Sequence, residues 1–176
     1  MPRLNRHQGP TDLALATTYK APALDRACIP YVLWGWQALS FYACNEDFYS
    51  AEFVVLDEHV DAAAAAFVAD GERQCINSNS RDRYQAVGHA HCRTVGQHIT
   101  IAMHKKSDSL WWLDADFFVD NPAPDHPRLT LSTNPSLPDK KPLGPAGPWK
   151  EMYPVKIPNE SLLIESVKSR ETLYRW

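Results

Sequence analysis

Apolar and polar positions along the chain alternate in short blocks, and each block predicts a strand or a helix. Over residues 11–27, Leu13, Leu15, Ala16, Tyr19, Leu24 and Ala27 recur at helical spacing, and Pro22 predicts a break or restart within that helix. Ile29-Pro30 ends the element. Tyr31-Val32-Leu33-Trp34 is a β-branched and aromatic run, the pattern of a buried strand. Gly35 permits a tight turn, and residues 36–43 suit a short helix. After the polar connector Asn45 to Tyr49, the mostly apolar run Ala51-Glu52-Phe53-Val54-Val55-Leu56 predicts a central strand. Asp57 is placed as the N-cap of a helix over 58–70. The alanines from Ala62 to Ala66 favour that helix, and Gly71 stands where a helix ends.

The second half is less regular. A strand is expected near Arg73–Ile76, a loop over Asn77 to Asp82, and strands over Tyr84–Thr94 and His98–His104. In the last of these, Ile99, Ile101 and Met103 alternate with Thr100, Ala102 and His104, the two-residue period of a half-buried strand. Lys105 to Asp108 reads as a solvated turn. Leu110-Trp111-Trp112-Leu113 reads as a short strand or loop anchor. Ten of the 14 prolines then fall between Asn121 and Pro158, too dense for regular structure. Apolar residues interspersed there, among them Leu129, Leu131, Val155 and Ile157, predict an ordered wrap over the core. Residues 159–174 predict a final helix capped by Asn159 or Ser161, with Leu162, Leu163, Val167 and Leu173 on one side.

These elements predict one α/β domain spanning residues 1–176, a mixed sheet flanked by helices. A chain of 176 residues suffices for one domain with its own core, and 44% hydrophobic with 22% charged residues suits a soluble globular protein. A net charge of −3 without a basic run argues against nucleic-acid partners. No run approaches the roughly 20 apolar residues that span a bilayer, and the polar start argues against a secretory leader. A cytoplasmic location with no membrane partner is the expectation. Cys28, Cys44, Cys75 and Cys92 are widely spaced without C-x-x-C, which predicts buried reduced thiols rather than a zinc site.

Candidate chemistry rests on histidine and tryptophan. Four of the seven histidines, His89, His91, His98 and His104, lie within 16 positions. His89 and His91 share a face if both sit on a strand, which suits an acid beside a base. A metal site would need a third ligand, with Glu52 or His104 brought near, and none is expected. An acid–base role asks less, one poised imidazole in a tryptophan-lined pocket. Tyr31, Trp34 and Trp36 cluster around Gly35, and Trp111-Trp112 offers a wall for a flat ligand. Ser40, Ser50 and Ser107 have no evident base beside them, and no phosphate-binding loop, dinucleotide fingerprint or G-x-S-x-G is present.

The ordered set Ile29-Pro30-Tyr31-Val32-Leu33-Trp34-Gly35, Ala38-Leu39, Phe53-Val54-Val55-x-Asp57, His89-Ala90-His91, Lys105-Lys106-Ser107-Asp108-Ser109-Leu110-Trp111-Trp112 and Tyr153-Pro154-Val155-Lys156-Ile157-Pro158 resembles the nucleotidyltransferase-like proteins of filamentous fungi. The resemblance implies a nucleotidyltransferase-type fold. In active members of that superfamily, a Gly-Gly or Gly-Ser opens the helix that holds triphosphate, and an Asp-x-Asp pair binds Mg²⁺. Here those places hold Gly35-Trp36 and Ser50-Ala51-Glu52. An indole stands where a phosphate would approach, and a hydroxyl stands for one carboxylate.

The leading expectation is therefore a degenerate nucleotidyltransferase-fold protein that binds an apolar or aromatic small molecule. By analogy with fungal secondary metabolism, it would carry a cofactor-independent acid–base step of isomerase or cyclase type. His89, His91 and Glu52 are the catalytic candidates. Tyr31, Trp34, Trp36, Ser50, His104, Trp111 and Trp112 are the substrate-binding candidates. Mg²⁺ enters only under the alternative of residual nucleotidyl transfer through Glu52. A non-catalytic binding or scaffold protein is the third possibility.

Overall fold

A computed structural model describes residues 12–42, 50–71, 73–74, 89–93, 100–119, 122–123, 125–137 and 151–173. Cys44, the connector Asn45 to Tyr49, Cys75 and His98 lie outside the described residues, as do residues 77–88 of the expected loop and strand.

Helix α1 (Asp12–Arg26) runs through Pro22 without the expected break. Proline removes one backbone N–H from a helix interior. Here Ala21, Ala23 and Leu24 on either side of it are buried in the core, and such packing outweighs local propensity. The helix ends in a Schellman turn. Ile29 N–H donates to the Leu24 carbonyl at 2.9 Å and Cys28 N–H to that of Asp25 at 3.1 Å, with Cys28 at φ +54°. That geometry leaves Cys28 exposed, against the expectation of a buried thiol, whereas Cys92 is buried.

Strand β1 (Tyr31–Trp34) leads into the short helix α2 (Gly35–Leu39), then β2 (Ser50–Val55). A 3-10 turn over Asp57–His59 precedes α3 (Val60–Ala69), and Gly71 follows at φ +95°. Then come β3 (Arg73–Gln74), β4 (Ala90–Arg93) and β5 (Thr100–Lys105). The expected turn at Lys105 to Asp108 is a one-turn helix, α4 (Lys106–Ser109). A two-stranded sheet of β6 (Leu129–Leu131) and β7 (Lys156–Pro158) precedes α5 (Glu160–Leu173). Among the described residues, no helix is long and apolar enough to cross a membrane.

The fold is α/β with a mixed five-stranded sheet in the order β1-β2-β5-β4-β3. β1 runs antiparallel to β2, β2 parallel to β5, and β4 antiparallel to both β5 and β3. The strand period of two sends alternate residues to opposite faces. Tyr31, Leu33, Phe53, Val55, Ile101 and Met103 join α1 and α3 in one core, where Phe53 meets Tyr31 edge-on at 5.5 Å. Val32, Trp34 and Val54 form a second core on the other face, with Leu110, Leu113, Phe117, Leu129, Leu162 and Leu163. Each large apolar side chain so buried contributes about 1.5–3 kcal/mol. The second face is apolar only in part, and its polar part is the candidate site.

The 151–158 segment is tied down by charge as well as packing. β7 packs against β1. Lys156, only 3% exposed, places Nζ 2.8 Å from Asp25 Oδ1 and 4.4 Å above the Tyr31 ring. Asp25 Oδ2 also accepts from the Tyr153 hydroxyl at 2.7 Å and from Tyr31 at 3.3 Å. Burial, then the Asp25 charge, holds the Tyr31 hydroxyl far above its ordinary pKa.

Candidate functional site

The site lies at one end of the sheet's second face. Glu52 on β2 has Trp34 opposite it on β1 and Ala102 opposite it on β5. Ala102 carries only a methyl, so the neighbouring space is open to a longer side chain. His104, two residues on from Ala102, lies diagonal to Glu52, within reach of long side chains. Its Nε2 stands 3.3 Å from Glu52 Oε2, with the side chains 15% and 18% exposed respectively.

This contact has ion-pair distance but not hydrogen-bond alignment. His104 Nε2 is buried and has no hydrogen-bond partner among the described residues. The distance establishes proximity without hydrogen-bond alignment. A buried polar atom without a partner is costly. Ser50, one turn of the pleat before Glu52, donates its hydroxyl to Glu52 Oε1 at 3.3 Å. One carboxylate oxygen is thus occupied by Ser50, and the other faces the imidazole.

Gly35 completes the corner. Its φ is +67°, and a Cβ built there would lie 2.7 Å from Glu52 Oε2 and 2.8 Å from its carboxyl carbon. Glycine is required twice, for backbone conformation and for the carboxylate's space. Helix α2 beyond it is held by Gln37, a buried residue whose Oε1 accepts from Thr17 Oγ1 at 2.9 Å.

The other expected site residues divide. His91 pairs with Ala102, so its backbone occupies the row Trp34–Glu52–Ala102–His91. Two strand spacings separate it from Glu52, roughly 10 Å. His89 is exposed just before β4, its N–H donating to the Met103 carbonyl at 2.8 Å. Trp34 is buried in the second core, while Trp36 is 51% exposed beside Gly35. Tyr31 lies on the opposite face, in the first core, and is no part of this corner. Its inward position follows from parity, since Tyr31 and Leu33 alternate with Val32 and Trp34. Trp111 and Trp112 are not on a strand. They meet edge-on at 5.9 Å, Trp111 exposed and Trp112 packed on the second core, with its Nε1 buried and without a partner among the described residues.

Asp57 departs from its expected role. It does not cap its own helix; its Oδ1 accepts the Ser107 N–H at 3.0 Å, at the start of α4. Hydrogen bonds from Ser107, then the charges of Lys105 and Lys106, hold its carboxyl below the usual aspartate range. This link fixes the chain just beyond His104.

The donor set bears on the metal that the resemblance implies. Glu52 brings one carboxylate, and Ser50 brings a neutral hydroxyl already bonded to Glu52. That set does not fit a two-carboxylate Mg²⁺ clamp. Among the described residues, no group of three or more His, Cys, Asp or Glu is arranged to hold a metal ion. The arrangement does suit proton transfer, with a carboxylate base beside an imidazole and a hydroxyl steadying the base. Neither a family model, nor a curated protein, nor a solved structure matches the chain.

Proposed function

We propose that the Glu52–His104 corner binds a small organic molecule and performs a non-redox acid–base step of isomerase or cyclase type. The observation that carries this reading is the contact itself, Glu52 Oε2 3.3 Å from His104 Nε2, with Nε2 buried and without a hydrogen-bond partner among the described residues. Glu52 takes a proton from one position of the ligand, and His104 supplies one at another, so no electrons are exchanged. Ser50 and Gly35 hold the carboxylate in place. Trp36 offers an exposed aromatic surface next to the corner. His104 takes the place given to His89 and His91 by their spacing.

Calorimetric titration tests the reading. The wild type, Glu52→Gln and His104→Asn are each titrated with a panel of aromatic compounds, and with each nucleoside triphosphate plus Mg²⁺. Aromatic binding weakened in both variants supports the proposal. Saturable, Glu52-dependent triphosphate binding would replace it with nucleotidyl transfer.

A further inference from the structure

We propose that His126 is a pH-sensitive clasp: its neutral imidazole holds the turn that enters β6 against the start of α5, and a proton on the ring releases it. Pro127 has no N–H, so the first backbone donors after His126 are Arg128 and Leu129. Both reach back to the same atom. His126 Nδ1 accepts from Leu129 N–H at 2.9 Å and from Arg128 N–H at 3.3 Å. An imidazole nitrogen accepts only while it carries no hydrogen, so these two donors assign the ring hydrogen to Nε2. The ring is only half-buried, which lets a second proton arrive from solvent.

What the ring holds is a junction. The Asn159 side-chain amide donates to the Pro127 carbonyl at 2.7 Å and to that of His126 at 3.4 Å, and Asn159 N–H donates to the Arg128 carbonyl at 2.9 Å. Asn159 in turn caps α5, its Oδ1 accepting from Leu162 N–H at 3.0 Å. Leu129, Leu162 and Leu163 all belong to the second core, so this turn sets how β6 and α5 meet. A proton added to His126 goes to Nδ1, the basic position of the ring, and makes it a donor facing two N–H groups. Protonation and the two hydrogen bonds therefore exclude each other. The contribution belongs to the neutral ring, so it is present at higher pH and lost as pH falls. The charged groups on the surrounding elements are Asp125 and Arg128 on the turn, Glu160 and Glu165 on α5, and Lys156 on β7. Both cations have a carboxylate of their own, Glu165 at 3.8 Å from Arg128 and Asp25 at 2.8 Å from Lys156. The carboxylates favour a charged ring once it has turned away from the N–H groups, so they act with release rather than against it.

The test follows the full chain by ¹H–¹⁵N correlation spectroscopy and amide exchange between about pH 8 and pH 5, the range over which histidine ordinarily changes charge. At the upper end the His126 ring should carry hydrogen on Nε2 alone. As pH falls, the Leu129 and Asn159 backbone amides should shift together with the ring. Their exchange protection, corrected for the intrinsic rate, should drop about two- to tenfold, the net effect of one hydrogen bond. His126→Asn keeps a side-chain oxygen that bonds the backbone N–H two residues on and does not titrate in this range, so its protection should stay level. Hydrogen on Nδ1 at the upper end, protection at Leu129 that ignores pH in the wild type, or an equal drop in His126→Asn each overturns the proposal. The ring hydrogen and the amide response are read on the wild type, so they decide even if the variant fails to fold.

Discussion

The Glu52 carboxylate occupies the space where a side chain on Gly35 would stand, with Oε2 2.7 Å from a Cβ built on that glycine. The turn and the acid therefore depend on each other.

Gly35→Ala meets two penalties. The left-handed φ of +67° costs an ordinary residue about 1–2 kcal/mol, and the methyl displaces Glu52. The expected loss of stability is about 2–4 kcal/mol, measured by urea denaturation. In Gly35→Ala/Glu52→Ala the displaced carboxylate is gone, so the two changes should be less than additive. Strict additivity would mean that the contact does not constrain the turn.

Asp25 is the only described carboxylate bonded to Lys156. Asp25→Ala strands an ammonium that is 3% exposed, which costs roughly 3–5 kcal/mol. Lys156→Met, which removes the buried charge and keeps the volume, should cost clearly less. Thermal melts of the two variants decide the order, and the reverse ranking would refute the assignment.

Asp57 gives a pH signature. Its carboxyl titrates below the ordinary aspartate value because Ser107, Lys105 and Lys106 favour the charged form. A carboxylate depressed on folding contributes stability that is present above its unfolded pKa of about 3.9. That contribution is lost as pH falls through the folded value. Asp57 is exposed, so solvent keeps the effect small. The difference in stability between the wild type and Asp57→Asn should be constant near neutrality and shrink below about pH 4. A difference that grows in acid would contradict the sign.

Asn159 joins three pieces of chain. Its Oδ1 accepts from Leu162 N–H at 3.0 Å as the cap of α5, and its Nδ2 donates to the Pro127 carbonyl at 2.7 Å. Asn159→Ala should cost about 1–2 kcal/mol, while Asn159→Asp, which keeps the cap alone, should recover part of that. Hydrogen exchange over the first turn of α5 separates the two contributions. Unchanged protection in Asn159→Ala would remove the capping role.

Local signals carried much of the fold. The apolar runs marked β1 and β2, the alternation marked β5, and the Gly71 and Asn159 boundaries marked α3 and α5. The site was legible only in its parts. Glu52, Ser50 and Gly35 stand out through the resemblance, and His104 through its parity on β5. Their meeting depends on β2 pairing in parallel with β5, a partnership across about 50 residues that no periodicity encodes. The short spacing of His89 and His91 places them before and on β4, a strand beyond β5, which carries His104. Asp57 departs from the expected cap for the same reason. The sequence beside it offers a helix to cap, while the donor it meets comes from residue 107.

The seat of β7 on β1, pinned by Lys156, bears on the border of the larger sheet. β1 is the outermost strand of the five-stranded sheet on that side, and such a border, left bare, is a template for strand addition by another molecule. Residues 156–158 bring a proline and a charged anchor to that border. Clipping the chain ahead of residue 151 would therefore do more than shorten it. It would take away the packing of β7 against β1 and leave that border open to strand addition.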